Sequence, residues 1–118
     1  MQERVKKSSL KTPQYQILEK GFKSWLATLG YAESTVYGHP RQLREFLVWL
    51  EQKEITTIKE VTPQLTADFI HYFKNRPNQR RAGGLSIAHV NKQIDSLNKF
   101  FKYLNNTGQY NQNITLKK

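Results

Sequence analysis

Residues 85–104 read LSIAHVNKQIDSLNKFFKYL, and this stretch decides the fold. Its apolar residues recur at spacings of three and four, at Ile87, Val90, Ile94, Leu97, Phe101 and Leu104. That spacing predicts an amphipathic helix packed on one side, with Ser86 as N-cap and Gly108 closing its end. The opposite side carries small and mostly cationic residues, namely Ala88, Lys92, Asp95 and Lys99. This side is either a solvated back or a surface that contacts a polyanion.

The rest of the chain predicts three further helices. Two Thr-Pro pairs, Thr12-Pro13 and Thr62-Pro63, mark helix starts, because proline suits the first helical position. The first helix ends at Gly30 and has an apolar face of Ile17, Leu18, Phe22, Trp25, Leu26 and Leu29. The second carries Val36, Leu43, Phe46, Leu47 and Leu50, with Trp49 beside them. The third turns inward Leu65, Phe69, Ile70 and Phe73.

The start of the second helix has two interpretations. Ser34 or Thr35 is a candidate cap, but Gly38-His39-Pro40 interrupts the first turns. Proline lacks the N–H that an internal helical position donates, and it disfavours helix at the residue before it. The helix therefore either bends here or begins near Pro40 after a short turn.

We expect an all-α fold, a compact bundle of four to five helices. Residues 13–110 are assigned to this domain, and residues 1–12 to a basic flexible arm. Residues 111–118 form a polar tail, with Tyr110 and Ile114 as possible anchors. Residues 75–84, NRPNQRRAGG, predict a loop, since they are polar and end in two glycines.

The net charge of +10 is segregated along the sequence. Residues 1–44 carry a net +5, residues 45–68 a net −3, and residues 69–118 a net +8. Such an excess suits a phosphate backbone, whose neutralisation releases counterions. A generally basic surface or a ribosome-associated protein has the same composition.

Several classes of site have no support in the sequence. The chain has no cysteine, so disulfides and thiolate metal sites are excluded. His39, His71 and His89 lack metal-ligand spacing, and Tyr110 lacks the cationic groups that activate a nucleophilic tyrosine. No apolar run approaches the roughly 20 residues of a membrane span. We therefore expect a soluble cytoplasmic protein without metal ion, cofactor or membrane contact, and without a small-molecule substrate.

One ordered set of caps and apolar spacings runs through residues 14–114. It comprises Phe22-x2-Trp25-Leu26-x3-Gly30, Ser34-Thr35, Leu43-x2-Phe46-x2-Trp49-Leu50, Val61-Thr62-Pro63 and Ser86-x3-Val90-Asn91-x2-Ile94-x2-Leu97-x2-Phe100-Phe101-x-Tyr103-Leu104, then Gly108 and Asn113. In order and separation this set resembles the N-terminal core-binding domain of tyrosine recombinases of the phage-integrase and Xer type. The chain departs from the family at His39, where a tyrosine is usual, and at Asn113-Ile114, where Asn-Pro is usual.

The resemblance implies a SAM-like helical domain that forms half of a C-shaped clamp around duplex DNA. Its second and fourth helices would face the DNA, and a larger C-terminal domain would carry the tyrosine nucleophile. We therefore expect no catalytic residue in this chain, which would end where the linker to that domain starts. The implied partners are double-stranded DNA and other recombinase protomers, in a bacterial cytoplasm and on the nucleoid when bound.

Candidate DNA contacts cluster near the starts of the second and fourth helices, where helix N-termini favour phosphate. They are Arg41, Arg44, Arg80, Arg81, His89, Asn91, Lys92 and Lys99. A simpler interpretation gives Arg80 and Arg81 to a solvated loop, and pairs the other two arginines with Glu45 or Glu51. The alternative function is a helical protein–protein interaction module without direct DNA contact, which exposure of Phe22 or Trp25 would favour.

Overall fold

A computed structural model of the chain describes residues 10–75, 87–112 and 114–117. These residues form α-helices and one short 3-10 turn at Ile58–Glu60, with no strand among them. The helices are α1 (Pro13–Thr28), α2 (Glu33–Gln52), α3 (Pro63–Asn75) and α4 (Ile87–Asn106). The predicted all-α fold is confirmed. The chain divides into two units, Met1–Glu60 and Val61–Lys118, here called unit 1 and unit 2.

Unit 1 is built on the packing of α1 against α2. The buried side chains of α1 are Tyr15, Leu18, Phe22 and Leu26. Those of α2 are Val36, Pro40, Leu43, Phe46, Leu47, Trp49 and Leu50. Each set recurs at helical spacing, so each helix buries one face and leaves the other to solvent.

The predicted apolar face of α1 is wrong at two positions. Ile17 is 69% exposed and Leu29 is 55% exposed, whereas Tyr15 is fully buried. Ile17 directly precedes the buried Leu18, so it points about 100° around the helix from it. Leu29 is the C-cap residue, beyond the last helical turn.

The start of α2 differs from both predicted caps. The helix begins at Glu33 with Ala32 as its N-cap, so Ser34 and Thr35 lie inside it. It continues through Pro40, and the interpretation that it begins near Pro40 is therefore wrong. An internal proline removes a helix hydrogen bond and costs about 3 kcal/mol. Burial of the Pro40 ring in the core of unit 1 offsets part of that cost.

Three helices end on a residue with left-handed backbone. Gly30 (φ 84°) and Gly108 (φ 75°) confirm the predicted stops of α1 and α4, and Glu54 (φ 63°) ends α2 in the same way. After each of these residues the next N–H donates back to the last turn, as in Gln109 to the Leu104 carbonyl at 2.9 Å. This pattern satisfies carbonyls that a helix end leaves without partners.

Residues 10–12 are held against α2, although the sequence assigned them to a flexible arm. Leu10 is buried, and the N–H groups of Lys11 and Thr12 donate to Glu51 Oε2 at 2.9 and 2.6 Å. The Glu51 carboxylate supplies a charged acceptor that the sequence did not reveal. Residues 1–9 lie outside the described residues.

Unit 2 contains α3 and α4. The Thr62 hydroxyl accepts a hydrogen bond from the Leu65 N–H at 3.1 Å, which confirms the predicted cap of α3. On α4 the predicted apolar stripe is buried from Val90 to Leu104, but Ile87 is 77% exposed. Ile87 is the first residue of the helix, one turn ahead of the first buried position.

The segment after α4 packs on unit 2 through both predicted anchors. Tyr110 and Ile114 are buried, and the Tyr110 hydroxyl donates to the Val61 carbonyl. The side-chain amide of Asn98 pairs with the backbone of Leu116, with its Nδ2 at 3.0 Å from the carbonyl and its Oδ1 at 2.7 Å from the N–H. Two amide hydrogen bonds thus hold the segment beside α4.

Candidate nucleic-acid interface

Arg41 and Arg44 lie on the exposed side of α2, three residues apart. Arg41 is exposed, whereas Arg44 forms a two-pronged ion pair with Glu19 of α1. Its Nε lies 2.8 Å from Oε2 and its Nη2 lies 3.1 Å from Oε1. The hydrogen bond that Arg44 donates to Glu19 raises the pKa of Arg44. Arg44 therefore has an ion-pair partner on another helix, and the predicted partners Glu45 and Glu51 are wrong for it.

A second contact joins α1 and α2 beside this ion pair. The Lys23 ammonium lies over the Tyr37 ring, 4.1 Å from its centroid, and both side chains are exposed. Glu19 and Lys23 are four residues apart on α1, and Tyr37 lies four residues before Arg41 on α2. Since residues four apart share a helix face, these side chains occupy one edge of the helix pair. We call Lys23, Tyr37 and Arg41 the α1–α2 edge.

The sequence did not identify Lys23 or Tyr37 as part of a site. What brings them together is the packing of α1 on α2, which no local pattern encodes. The signal available in the sequence was a lysine and an aromatic residue on two successive helices of the predicted bundle.

The predicted residues of α4 share one side only in part. Lys92 and Lys99 are seven residues apart, so they lie on one face two turns from each other. Lys92 and His89 are exposed, whereas Asn91 and Lys99 are half-buried. The predicted outer face is confirmed, because none of its residues is buried. Asn91 points about 100° away from Lys92 around the helix axis, so the two side chains do not both point directly at one ligand.

Lys102 belongs to the same face and was not predicted. It is exposed and lies three residues after Lys99. The acidic residue on this face is Asp95, which is half-buried between Lys92 and Lys99. The face therefore carries three lysines against one carboxylate.

Arg80 and Arg81 lie outside the described residues. In the described part of unit 2, five lysines stand against two acidic residues; in unit 1, seven basic residues stand against six. The described residues thus account for +4 of the net charge of +10, and the remainder belongs to residues 1–9, 76–86 and 118.

The chemistry available to these side chains is charge neutralisation and hydrogen-bond donation. Within residues 10–75, 87–112 and 114–117, no group of three histidine or acidic residues can hold a metal ion. Tyr110 is buried with its hydroxyl bonded to the Val61 carbonyl, and burial raises its pKa. None of the helices in the described part of the chain is long and apolar enough to cross a bilayer. Lysine, arginine and tyrosine donors on exposed helix faces are suited to phosphate oxygens.

Comparison with known proteins gives a consistent result. Residues 20–108 match the family model described as phage integrase, N-terminal SAM-like domain. TnP I resolvase of Bacillus thuringiensis is 28% identical over 98 residues, which cover 83% of this chain and 32% of the resolvase. Tyrosine recombinase XerS of Streptococcus agalactiae serotype III is 27% identical over 88 residues, which cover 63% of this chain and 25% of XerS. The chain therefore matches between a quarter and a third of the length of these relatives. No solved structure matches the chain significantly.

Proposed function

The chain belongs to the phage integrase N-terminal SAM-like domain family, and we propose from this premise that it is the DNA-binding domain of a site-specific tyrosine recombinase. In this role it contacts duplex DNA through α2 and α4 and forms part of a clamp around it. The observation that carries the proposal is the outer face of α4, where Lys92, Lys99 and Lys102 lie on one side of the helix with a single carboxylate, that of Asp95.

The spacing of these lysines fits a phosphate backbone. At about 1.5 Å of rise per residue, Lys92 and Lys99 are separated by about 10 Å along the helix axis. One strand of duplex DNA advances about 3.4 Å per phosphate. The two ammonium groups can therefore reach different phosphates of the same strand. Such contacts position a protein on DNA without reading the DNA sequence.

The whole protein's activity is part of the same proposal. The relatives are named a resolvase and a tyrosine recombinase, and both extend well beyond the matched residues. We infer that strand cleavage and joining belong to another part of a longer protein, and that this chain contributes binding. Its partners are then duplex DNA and other recombinase protomers, and its location is the bacterial cytoplasm where that DNA lies.

A salt titration of duplex binding tests the DNA-binding role. Binding of a fluorescent duplex should weaken linearly on a log–log plot against salt, with a slope of about −0.9 for each neutralised phosphate. The double variant Lys92→Ala with Lys99→Ala should reduce that slope by about 1.8. Lys117→Ala is the matched control, since Lys117 is exposed in the same unit but lies off α4.

Two results would contradict the proposal. One is the absence of duplex binding by the unaltered chain at low ionic strength. The other is a change of slope in Lys117→Ala that equals, per removed lysine, the change in the double α4 variant, because a diffuse charge effect does not require α4.

The second candidate is a helical protein–protein interaction module, and one observation favours it. Ile17 and Leu29 of the first helical segment are both more than half exposed, although Phe22 is fully buried and Trp25 half-buried. The two side chains are twelve residues apart, or about 18 Å along the helix axis, so they offer two separate apolar contact points and not one continuous patch. Sedimentation velocity of the double variant Ile17→Ser with Leu29→Ser tests this candidate. Loss of self-association in the variant, together with no duplex binding by the unaltered chain, would favour it over the DNA-binding role.

A further inference from the structure

We propose that the α1–α2 edge is an additional phosphate-binding site, in which Lys23 and Tyr37 extend the DNA contact of α2 onto α1. The site rests on the proposed DNA-binding function and takes the phosphodiester backbone of duplex DNA. Lys23 and Tyr37 supply its new donors, and Arg41 lies one turn further along α2.

The contact between Lys23 and Tyr37 places a cation without using up its charge. The ammonium lies 4.1 Å from the ring centroid, and the residue Tyr37 is 53% exposed. An aromatic face attracts an ammonium through its quadrupole, but it carries no formal charge that could neutralise it. The lysine is thereby held at the helix edge with N–H donors still available to an anion.

The neighbouring ion pair keeps the closest carboxylate on α1 occupied. Glu19 lies four residues before Lys23, a spacing at which glutamate and lysine normally pair on a helix. Both of its oxygens instead accept from Arg44, at 2.8 and 3.1 Å. Arg44 thus neutralises the carboxylate that would otherwise compete with phosphate for Lys23.

The remaining charges of this face lie at its two ends. Glu33 is one turn before Tyr37, and Glu45 is one turn after Arg41. Between these two carboxylates the face carries the Tyr37 hydroxyl and the Arg41 guanidinium of α2, beside the Lys23 ammonium of α1. All three groups can donate hydrogen bonds to phosphate oxygens.

The simpler interpretation is a surface cation–π contact that only joins α1 to α2. A matched pair in the same unit separates the two interpretations. Lys53 lies over the Trp49 ring, 4.9 Å from its centroid, at the far end of α2. Lys53→Ala therefore removes the same charge and the same kind of contact from a place outside the proposed site.

The test is the salt dependence of duplex binding by the full chain, with helicity of each variant checked by circular dichroism. We expect Lys23→Ala to reduce the slope by about 0.9 and Lys53→Ala to leave it unchanged. Lys23→Arg should retain the slope, because the cation is kept. Tyr37→Phe should keep the slope but weaken binding about two- to tenfold, through loss of one donated hydrogen bond.

The outcomes distinguish this site from the function on which it rests. An unchanged slope in Lys23→Ala, with duplex binding intact, would overturn the site and leave the DNA-binding role standing. Equal slope changes in Lys23→Ala and Lys53→Ala would also overturn it. Absence of binding by the unaltered chain would overturn both.

Discussion

Unit 1 and unit 2 hold the chain segments beside their helices in place with different sets of polar groups. In unit 1 carboxylates hold segments in place beside a neutral amide: Glu51 accepts the N–H groups of Lys11 and Thr12, and Glu19 accepts from Arg44. The Gln16 side chain also donates to the Leu10 carbonyl at 2.7 Å. In the contacts of Glu51 and Glu19, a negatively charged side chain therefore has a structural role. Among its described residues, unit 1 carries nearly as many acidic as basic residues, six against seven.

In unit 2 neutral side-chain amides hold the segment after α4 in place. Asn98 pairs with the backbone of Leu116, and Asn105 donates to the carbonyls of Tyr110 and Gln112 at 2.8 and 3.1 Å. An amide can both donate and accept, so it holds a backbone segment without adding charge. Unit 2 therefore keeps its lysines in excess of its acids, which is the electrostatic condition for binding a polyanion.

The prediction with the largest expected effect exchanges an amide for a carboxylate in unit 2 and a carboxylate for an amide in unit 1. Asn98→Asp removes the donor to the Leu116 carbonyl and sets a carboxylate against it, so it should cost about 1–3 kcal/mol. Glu51→Gln retains an oxygen acceptor for both N–H groups and should cost only about 1 kcal/mol. Urea denaturation followed by circular dichroism measures both free energies of unfolding.

Asn111→Asp is the control for the added charge, since Asn111 is exposed in the same segment. A loss in Asn98→Asp no larger than that in Asn111→Asp would mean that charge, rather than the lost amide pair, sets the cost. The contrast between the two units would then be wrong.

The secondary structure was predictable wherever its signals are local. Thr62-Pro63 caps α3 because a hydroxyl and a preset φ act within one turn, and Gly30 and Gly108 end helices because only their backbone freedom is needed. Glu54 ends α2 with the same left-handed backbone but without such a signal. A residue with a Cβ adopts that conformation when surrounding contacts fix it, which a sequence pattern does not report.

The site was predictable to a smaller extent, because it depends on contacts between helices. The cationic outer face of α4 follows from period and charge alone. The partner of Arg44 and the contact of Lys23 with Tyr37 follow from how α1 packs on α2, with residues 25 and 14 positions apart. Charge patterns along one helix suggested Glu45 and Glu51 for Arg44, but the chain brings Glu19 closer.

Both units also hold a segment in place through a buried tyrosine, and alkaline pH tests this contact. Tyr15 donates to the Ile55 carbonyl at 2.8 Å in unit 1, and Tyr110 donates to the Val61 carbonyl in unit 2. Burial raises the pKa of both hydroxyls, and the carboxylates of Glu60 and Glu51 raise the pKa of Tyr15 further. In the unfolded chain both ionise near pH 10, about their ordinary value.

The folded pKa of each tyrosine lies above the unfolded one, so its stabilisation is complete below about pH 10 and is lost as the pH rises. Each should contribute a loss of up to about 1.4 kcal/mol per pH unit above that point. Tyr15→Phe and Tyr110→Phe should each cost about 1 kcal/mol at neutral pH and make the alkaline loss smaller.

Urea midpoints at about pH 8 and about pH 10.5 measure this effect. Added salt should reduce the alkaline loss that depends on Tyr15 more than the one that depends on Tyr110, because only Tyr15 has the two carboxylates among its causes. An alkaline loss that both phenylalanine variants retain in full would contradict the assignment to these hydroxyls.

The smallest expected effect concerns the ion pair between Arg44 and Glu19, beside the proposed site. The Arg44 side chain is 42% exposed, so solvent screens its ion pair with Glu19. A double-mutant cycle of Arg44→Met and Glu19→Gln should give a coupling of about 0.5 kcal/mol that shrinks as salt is added. A coupling above about 1 kcal/mol, or one that salt does not change, would mean that the pair acts as a buried one. A weak pair is sufficient for the proposed α1–α2 edge, because that site requires Arg44 to neutralise the Glu19 carboxylate and does not require the pair to stabilise the fold.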